Sequence, residues 1–403
     1  MKNVNKIKNW APVVPEDREY LLDVLSRKEF SGRNSHYIQK VEKEWADYVG
    51  VSHCILTNSG TSALHMAMAS LGAAAGDEVI VPSFSFIASV LCVLHQNLIP
   101  VFCDIKAGQM SIDEDQLEKL ITARTKAILV VHLNGIAVNI EVIRKIADKY
   151  KLILIEDACQ AHGTIVNGKK VGSFGDMAAF SLNKSKGLPA GEGGFFVTNN
   201  KKYYDKAKMV HQFGELDKNK EFREYNSYDL GWMYKTNEFV ASIACSHLKY
   251  LEDWNKIRLC NVDYLNNKIK TLPELEIFEV SKNCRPAYWR YAFKIKKDIS
   301  IEIPDFKRKL THNLKTWGLK ISQWQSLALP EQPVIKNKFG YGNGCPWVHG
   351  RDVDYDDPHI MENTKDLIDR IIWLDEGIQP PNSTEEIDYI FEAIKNEVEK
   401  LRN

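Results

Sequence analysis

From residue 38 to residue 158 the chain alternates between short, mainly apolar runs and longer stretches with the apolar spacing of a helix, and few architectures accept that rhythm. The runs are HCILTN, DEVIVP, PVFCDI, AILVVHL and LILIED. They are too short for helices and lack the in–out alternation of half-exposed strands, so each suits a strand covered on both faces. Between them lie SGTSALHMAMASLG, IASVLCVLHQN and IEVIRKIADKYK, and ahead of them IQKVEKEWADYVG, a helix closed by Gly50. Buried strands separated by helices predict an α/β fold with a mainly parallel sheet flanked by helices.

After about residue 255 the rhythm changes. LCNVDYLNNKIK, DFKRKLTHNLKTWG and the terminal TEEIDYIFEAIKNEVEKLRN read as helices, and YWRYAFKIK as a strand. The pattern predicts a large domain over residues 1–255 and a smaller α+β domain over 256–403. A chain of 403 residues also exceeds what one small core serves.

Lys+Arg and Asp+Glu both number 53, so the formal net charge is zero and no global attraction for nucleic acid or anionic membrane is expected. No stretch approaches the roughly 20 apolar residues of a membrane span. The opening MKNVNKIKNWAPVVPEDREY lacks the apolar run of a secretory signal. The eight cysteines form no C-x-x-C pair, and Cys92, Cys103 and Cys245 sit in apolar strings as reduced core residues do. The expectation is a cytoplasmic protein without zinc, other metal or disulfides.

Four segments can carry chemistry. Ser59-Gly60-Thr61-Ser62 stands between a strand and a helix, where free N–H groups seat a phosphate, although Ser and Thr there are also ordinary caps. LILIEDACQ puts Asp157 just beyond a strand's carboxyl end, where open α/β sheets bind ligands; it serves either a protonated ring nitrogen or the next segment as a cap. FSLNKSKGLPAGEGG carries Lys184 and Lys186 ahead of a glycine-rich turn. A buried lysine near other cations loses its proton readily, as a Schiff-base former must, whereas a solvated lysine does not. PSFSFIAS places Phe86 at a further strand end, either flat against a heteroaromatic ring or in the core.

Their order, with NSGTSALHMAM, GDEVIVPSFSFIAS, PVFCDI, IEDACQAHGTIVNGKKVGSFGDMAAFSLNKSK and GEGGFFVTNN, resembles the DegT/StrS sugar-aminotransferase family of fold-type I pyridoxal-phosphate (PLP) enzymes, in the aspartate-aminotransferase superfamily. The resemblance runs from about residue 10 to 255 and more loosely beyond. It implies PLP as cofactor and Lys186, five residues before Gly191, as the Schiff-base and catalytic lysine. By the same resemblance Asp157 takes the pyridine nitrogen, Gln160 lies near the ring hydroxyl, and Phe86 stacks on the ring. Gly60, Thr61, Ser62 and Ser181 would cradle the phosphate. The implied reaction moves an amino group from glutamate or glutamine to a keto sugar, nucleotide-linked or not, or a related cyclic ketone. The implied assembly is a homodimer with shared active sites.

Two departures stand out. Where the family often reads S-F-H-x-[ST]-K, this chain has residues 181–186 as SLNKSK. Where a partner loop commonly supplies Asn in N-[YF]-R, the stretch GWMYKTN of residues 231–237 has Met233, and Asn237 is the candidate replacement. Two rival functions follow. One is a PLP-dependent aminodehydratase or aromatising enzyme, although the family's deoxygenating dehydratases carry His where Lys186 stands. The other is a PLP-binding regulator without turnover, which would need a DNA-binding module. Loops 30–37 and 317–347 are the expected determinants of acceptor choice.

Three other patterns have ordinary readings. GTIVNGKK (163–170) nearly spells a nucleotide P-loop, but Lys170 stands where a hydroxyl is required and Asn167-Gly168 predicts a hairpin turn. Asp352, Asp354 and Asp356 have calcium-loop spacing, yet Asp357 and Asn363 occupy the positions that need Gly and Glu. FGYGNGCPW (339–347) is a surface loop or a pocket border, and the charges at 217–220 read as solvated.

Overall fold

The computed structural model describes residues 6–32, 35–216 and 224–402. The stretch 217–220 and two residues of loop 30–37 lie outside those ranges.

Helix α1 (Pro15–Arg27) opens the described chain, followed by α2 (His36–Val49), which Gly50 ends at a φ of 86°. Then come β1 (His53–Thr57), α3 (Gly60–Ala69), β2 (Glu78–Pro82), α4 (Ala88–Leu94) and β3 (Ile99–Cys103). They are followed by α5 (Glu114–Leu120), β4 (Thr125–Val131), α6 (Ile140–Tyr150) and β5 (Ile153–Asp157). A two-residue hairpin, β6 (Ile165–Val166) and β7 (Lys169–Lys170), precedes β8 (Met177–Ser181) and β9 (Gly194–Thr198). Helices α7 (Lys201–His211), α8 (Glu238–Leu248) and α9 (Leu251–Ile269) complete this half.

Seven strands form one sheet in the order β1-β9-β8-β5-β4-β2-β3. Pairs β2–β3, β2–β4, β4–β5 and β5–β8 are parallel, while β9 runs antiparallel to both neighbours. The sheet is therefore mostly parallel, as the rhythm required. Alternate residues serve opposite faces: Ile55, Val79, Leu129 and Ile155 pack under α3, α4 and α7. Leu56, Ile80, Ile128 and Leu154 pack under α2, α5, α6 and α8. This double coverage is why the strands read as continuous apolar runs. Their register sets the carboxyl ends of β1, β8, β5 and β4 along one edge.

Residue 255, the division drawn from the sequence, falls inside α9. Beyond α9 come β10 (Leu275–Glu276), β11 (Cys284–Arg285), β12 (Tyr291–Ile295), α10 (Ile303–Thr316) and β13 (Ile321–Ser322). The single turn α11 (Pro333–Lys336), α12 (Glu362–Arg370), β14 (Ile371–Leu374) and α13 (Thr384–Arg402) follow. Strands β10, β12, β14 and β13 make a second, antiparallel sheet whose core is shared with α9, α10 and α13. Strand β11 joins the hairpin, Arg285 pairing with Ile165. That hairpin turns at Asn167 (φ 47°) and Gly168 (φ 80°), a phosphate loop in spelling only. Asp352 and Asp356 pair with Lys338 and Lys336 on the surface.

Trp45 of α2 is fully buried, stacked on Phe195 at 5.0 Å and edge-on to Phe180 at 4.9 Å. It joins α2 to the β8–β9 pair and so to the loop that carries Lys186. Trp45→Ala should destabilise the protein by about 3–5 kcal/mol, read from denaturant unfolding. A loss under about 1 kcal/mol would mean the site collapses around the cavity.

Candidate active site

Asp157 ends β5, held between Val131 of β4 and Ala179 of β8, and is 5% exposed. Its Oδ2 accepts from Ser89 Oγ at 2.8 Å and its Oδ1 from the Cys159 N–H at 3.1 Å. A carboxylate accepts about four hydrogen bonds, and no ion-pair partner meets this one among the described residues. The remaining capacity suits one more charged donor.

Lys186 lies in the loop between β8 and β9. Asn183 shapes that loop, its Oδ1 accepting from both the N–H (3.1 Å) and Oγ (2.9 Å) of Ser185. Three consecutive carbonyls are then held from three directions. Trp289 Nε1 donates to Ser185 O at 2.7 Å, Trp10 Nε1 to Lys186 O at 3.0 Å, and Arg258 to Gly187 O at 3.2 Å. The Lys186 amine sits 4.2 Å from the Trp289 ring centroid. Burial lowers its pKa, and the Arg290 charge lowers it further, against the opposing pull of Cys159 and Asp157. Lys184, two residues away, is exposed.

The third part is the start of α3. Ser59 caps the helix, its Oγ accepting from the Ser62 N–H at 3.0 Å. The N–H groups of the first turn have no acceptor in their own helix. A side chain at Gly60 would meet Cys159 Sγ and Ser181 Cβ at 2.8 Å, so glycine is required for this turn to lie against the end of β8. Thr61 is exposed, and Ser181 ends β8, its Oγ accepting from the Asn183 N–H at 3.3 Å. Ser62 is placed differently from the expectation: its hydroxyl is turned to Asn58 Oδ1 at 2.5 Å and to Ser59 Oγ at 2.8 Å.

Phe86 lies between β2 and α4 with half its surface exposed, so it is no core residue. Gln160 is buried, its Oε1 accepting from the Asn134 N–H at 2.8 Å. Asn237 is the exposed N-cap of α8, with its Oδ1 accepting from Val240 N–H at 3.1 Å. Met233 is half exposed and pairs with Gln212.

Sequence reading missed Trp10, Arg258, Trp289, Arg290 and His162, all grouped around the lysine loop. Arg290 stacks on Trp289 at 4.0 Å and pairs with Asp375 at 2.6 Å. Trp289 and Arg290 stand inside YWRYAFKIK, where only a strand was legible. Both ring nitrogens of buried His162 lack a partner among the described residues, and burial, then Lys186 and Arg258, push its pKa down to about 3. A separate cavity of about 560 Å³ opens between α2, β1 and α7, lined by Glu42, His53, Tyr204 and Lys208, and contains none of the residues above.

The sequence pattern of the DegT/DnrJ/EryC1/StrS aminotransferase family matches residues 13–395. GDP-perosamine synthase from Vibrio cholerae is 33% identical over 273 residues, covering 68% of this chain and 73% of that protein. L-Glutamine:2-deoxy-scyllo-inosose aminotransferase from Streptoalloteichus tenebrarius is 32% identical over 308 residues, 73% of each. The crystal structure of E. coli GDP-4-keto-6-deoxy-D-mannose-3-dehydratase with bound hydrated PLP superposes with a TM-score of 0.83 at 24% identity. It covers 96% of this chain and 99% of that one, a likeness of fold.

In the protein without cofactor, the Lys186 amine should titrate below the ordinary lysine value near 10.4. Reductive ¹³C-methylation followed by NMR titration checks this, with the resonance identified by its loss in Lys186→Arg. Because the folded-state amine releases its proton at lower pH than the unfolded chain's, its burial costs most below the folded pKa. That cost fades as pH rises toward the ordinary value. A midpoint at or above the ordinary value would contradict the burial argument.

Proposed function

Because the chain belongs to the DegT/DnrJ/EryC1/StrS aminotransferase family, we propose that it is a PLP-dependent aminotransferase. It moves an amino group from glutamate or glutamine to the ketone carbon of a keto sugar, nucleotide-linked or free, or of a related cyclic ketone. The observation that carries this reading is the meeting of a partly buried Lys186, whose charged form burial disfavours, with an under-used buried carboxylate, Asp157, at one sheet edge.

The residues present fit the cofactor. Lys186 would hold its aldehyde carbon, Asp157 its ring nitrogen, Gln160 the side of its ring hydroxyl, and Phe86 its open face. Gly60, Thr61 and Ser181 offer the phosphate seat, with Ser62 holding the turn through Asn58. When bound, PLP supplies an electron sink for the carbon losing its proton. The Lys186 amine would be the base that removes the donor α-carbon proton and later returns one. The carbonyl grips from Trp10, Trp289 and Arg258 hold that amine's backbone in place, so little reorganisation accompanies proton transfer.

We place the working protein in the cytoplasm as a homodimer with shared sites. Its eight cysteines are free, as a reducing compartment keeps them, and no described helix is long and apolar enough to cross a membrane. Tyr228, Leu230, Trp232 and Met233 leave an exposed apolar patch just before Asn237, the kind of surface a second subunit covers.

Borohydride reduction of the PLP-loaded protein should fix the cofactor to Lys186, located by peptide mapping. Lys186→Ala should bind PLP yet lose transamination. Label on Lys184, or turnover by the Ala variant, would sink the reading. Asn237→Ser keeps an oxygen for the helix cap while removing the amide donor. If Asn237 reaches the partner's phosphate, this variant should raise the PLP dissociation constant about ten- to a hundredfold and stay dimeric by sedimentation. Unchanged affinity removes Asn237 from the site.

A further inference from the structure

Behind Asp157 lies a pair of hydroxyls that the reaction above does not use. Ser89, fully buried on the first turn of α4, bonds Asp157 Oδ2 at 2.8 Å. Ser85, 1% exposed, bonds Ser89 Oγ at 2.8 Å. Serines near a helix start ordinarily cap it. Neither does so here: the cap position of α4 is Ile87, with no side-chain cap bond. The two hydroxyls instead point at each other and at the carboxylate.

The direction of the protons in this chain follows from elementary bookkeeping. An ionised carboxylate is an acceptor only, so Ser89 must give its single proton to Oδ2. The contact between the two serines must then be donated by Ser85. The order Ser85→Ser89→Asp157 is the one an ionised Asp157 imposes, and each link polarises the next. Ser85 is itself held, its carbonyl accepting from Gln325 Nε2 at 2.7 Å. The Cys159 N–H occupies the other oxygen.

We infer that Ser89, backed by Ser85, is a positioning residue that keeps the Asp157 carboxylate ionised and aimed at the pyridine nitrogen of the cofactor. The inference rests on the PLP reading above. Ser89 touches neither cofactor nor substrate; it acts through Asp157, holding Oδ2 while the Cys159 N–H holds Oδ1, which orients the carboxylate. Removing its hydroxyl leaves Oδ2 buried with one donor fewer, so the charged carboxylate is less well stabilised and supports the protonated ring nitrogen less well.

The test uses protein reconstituted with PLP carrying ¹⁵N in the ring, whose chemical shift reports whether that nitrogen is protonated. In the wild type it should be protonated. In Ser89→Ala it should move toward the unprotonated value, with the donor half-reaction slowed about ten- to a hundredfold. Ser89→Thr, which restores a hydroxyl, should recover both. Ser85→Ala should give a smaller shift in the same direction, and it decides the matter if Ser89→Ala does not fold. An unchanged ¹⁵N shift in both alanine variants overturns the relay while leaving the aminotransferase reading intact. A wild type that takes up no PLP overturns both.

Discussion

Asp157 is a charged group kept at the end of a strand that is covered on both faces, and the arrangement of the site depends on how that charge is satisfied. Burying a carboxylate costs several kcal/mol unless hydrogen bonds replace the lost water. Ser89 Oγ and the Cys159 N–H supply two such bonds, which hold the group without neutralising it. A lysine or arginine in direct contact would satisfy Asp157 fully and leave nothing for a ligand. The parallel register of β4, β5 and β8 puts this half-satisfied charge where the sheet's own loops open.

Lys186 poses the opposite problem, an amine whose charge burial disfavours and whose position must still be held. The loop that carries it has little regular structure, and its order comes from side chains far away in sequence. Trp10 comes from the segment before α1, Arg258 from α9, and Trp289 from beside the second sheet, each taking one carbonyl. Arg258 is itself buried with no carboxylate partner among the described residues, its charge spread over Asn255, the Gly187 carbonyl and the Trp10 ring. The lysine's position is thus shared between the two halves of the chain. Displacement of one half relative to the other would be felt at the amine.

Much of this was legible in the sequence because burial and periodicity are local signals. The strands at 53–57, 78–82, 99–103, 125–131 and 153–157 announce themselves as apolar runs, and Gly50 and Asn167-Gly168 as a helix stop and a turn. Strands β8 and β9 were not read as strands: glycines, charges and the functional loop break their pattern, and only the sheet around them makes them extend. Helices α1, α5, α7 and α8 were likewise passed over, their apolar faces being short and crossed by polar residues such as the buried Asp17 of α1. For the site, Lys186 stood out through the family resemblance, and Asp157 through its place at a strand's carboxyl end together with that resemblance. Trp10, Arg258 and Trp289 did not, because a long-range bond to a backbone carbonyl leaves no mark on local sequence. Ser62 shows the converse: a residue type right for phosphate, engaged by a neighbour that sequence alone does not orient.

On the proposed function, this one site takes an amino group from a donor and stores it on PLP before any acceptor enters. The most direct measurement is a single half-reaction: protein loaded with PLP is mixed with glutamine or glutamate, without acceptor, and the keto acid released is counted against active sites. The proposed function requires a burst of one keto acid per Lys186, together with loss of the visible absorbance of the lysine-bound cofactor. No keto acid from either donor, in protein that demonstrably holds PLP on Lys186, would contradict it.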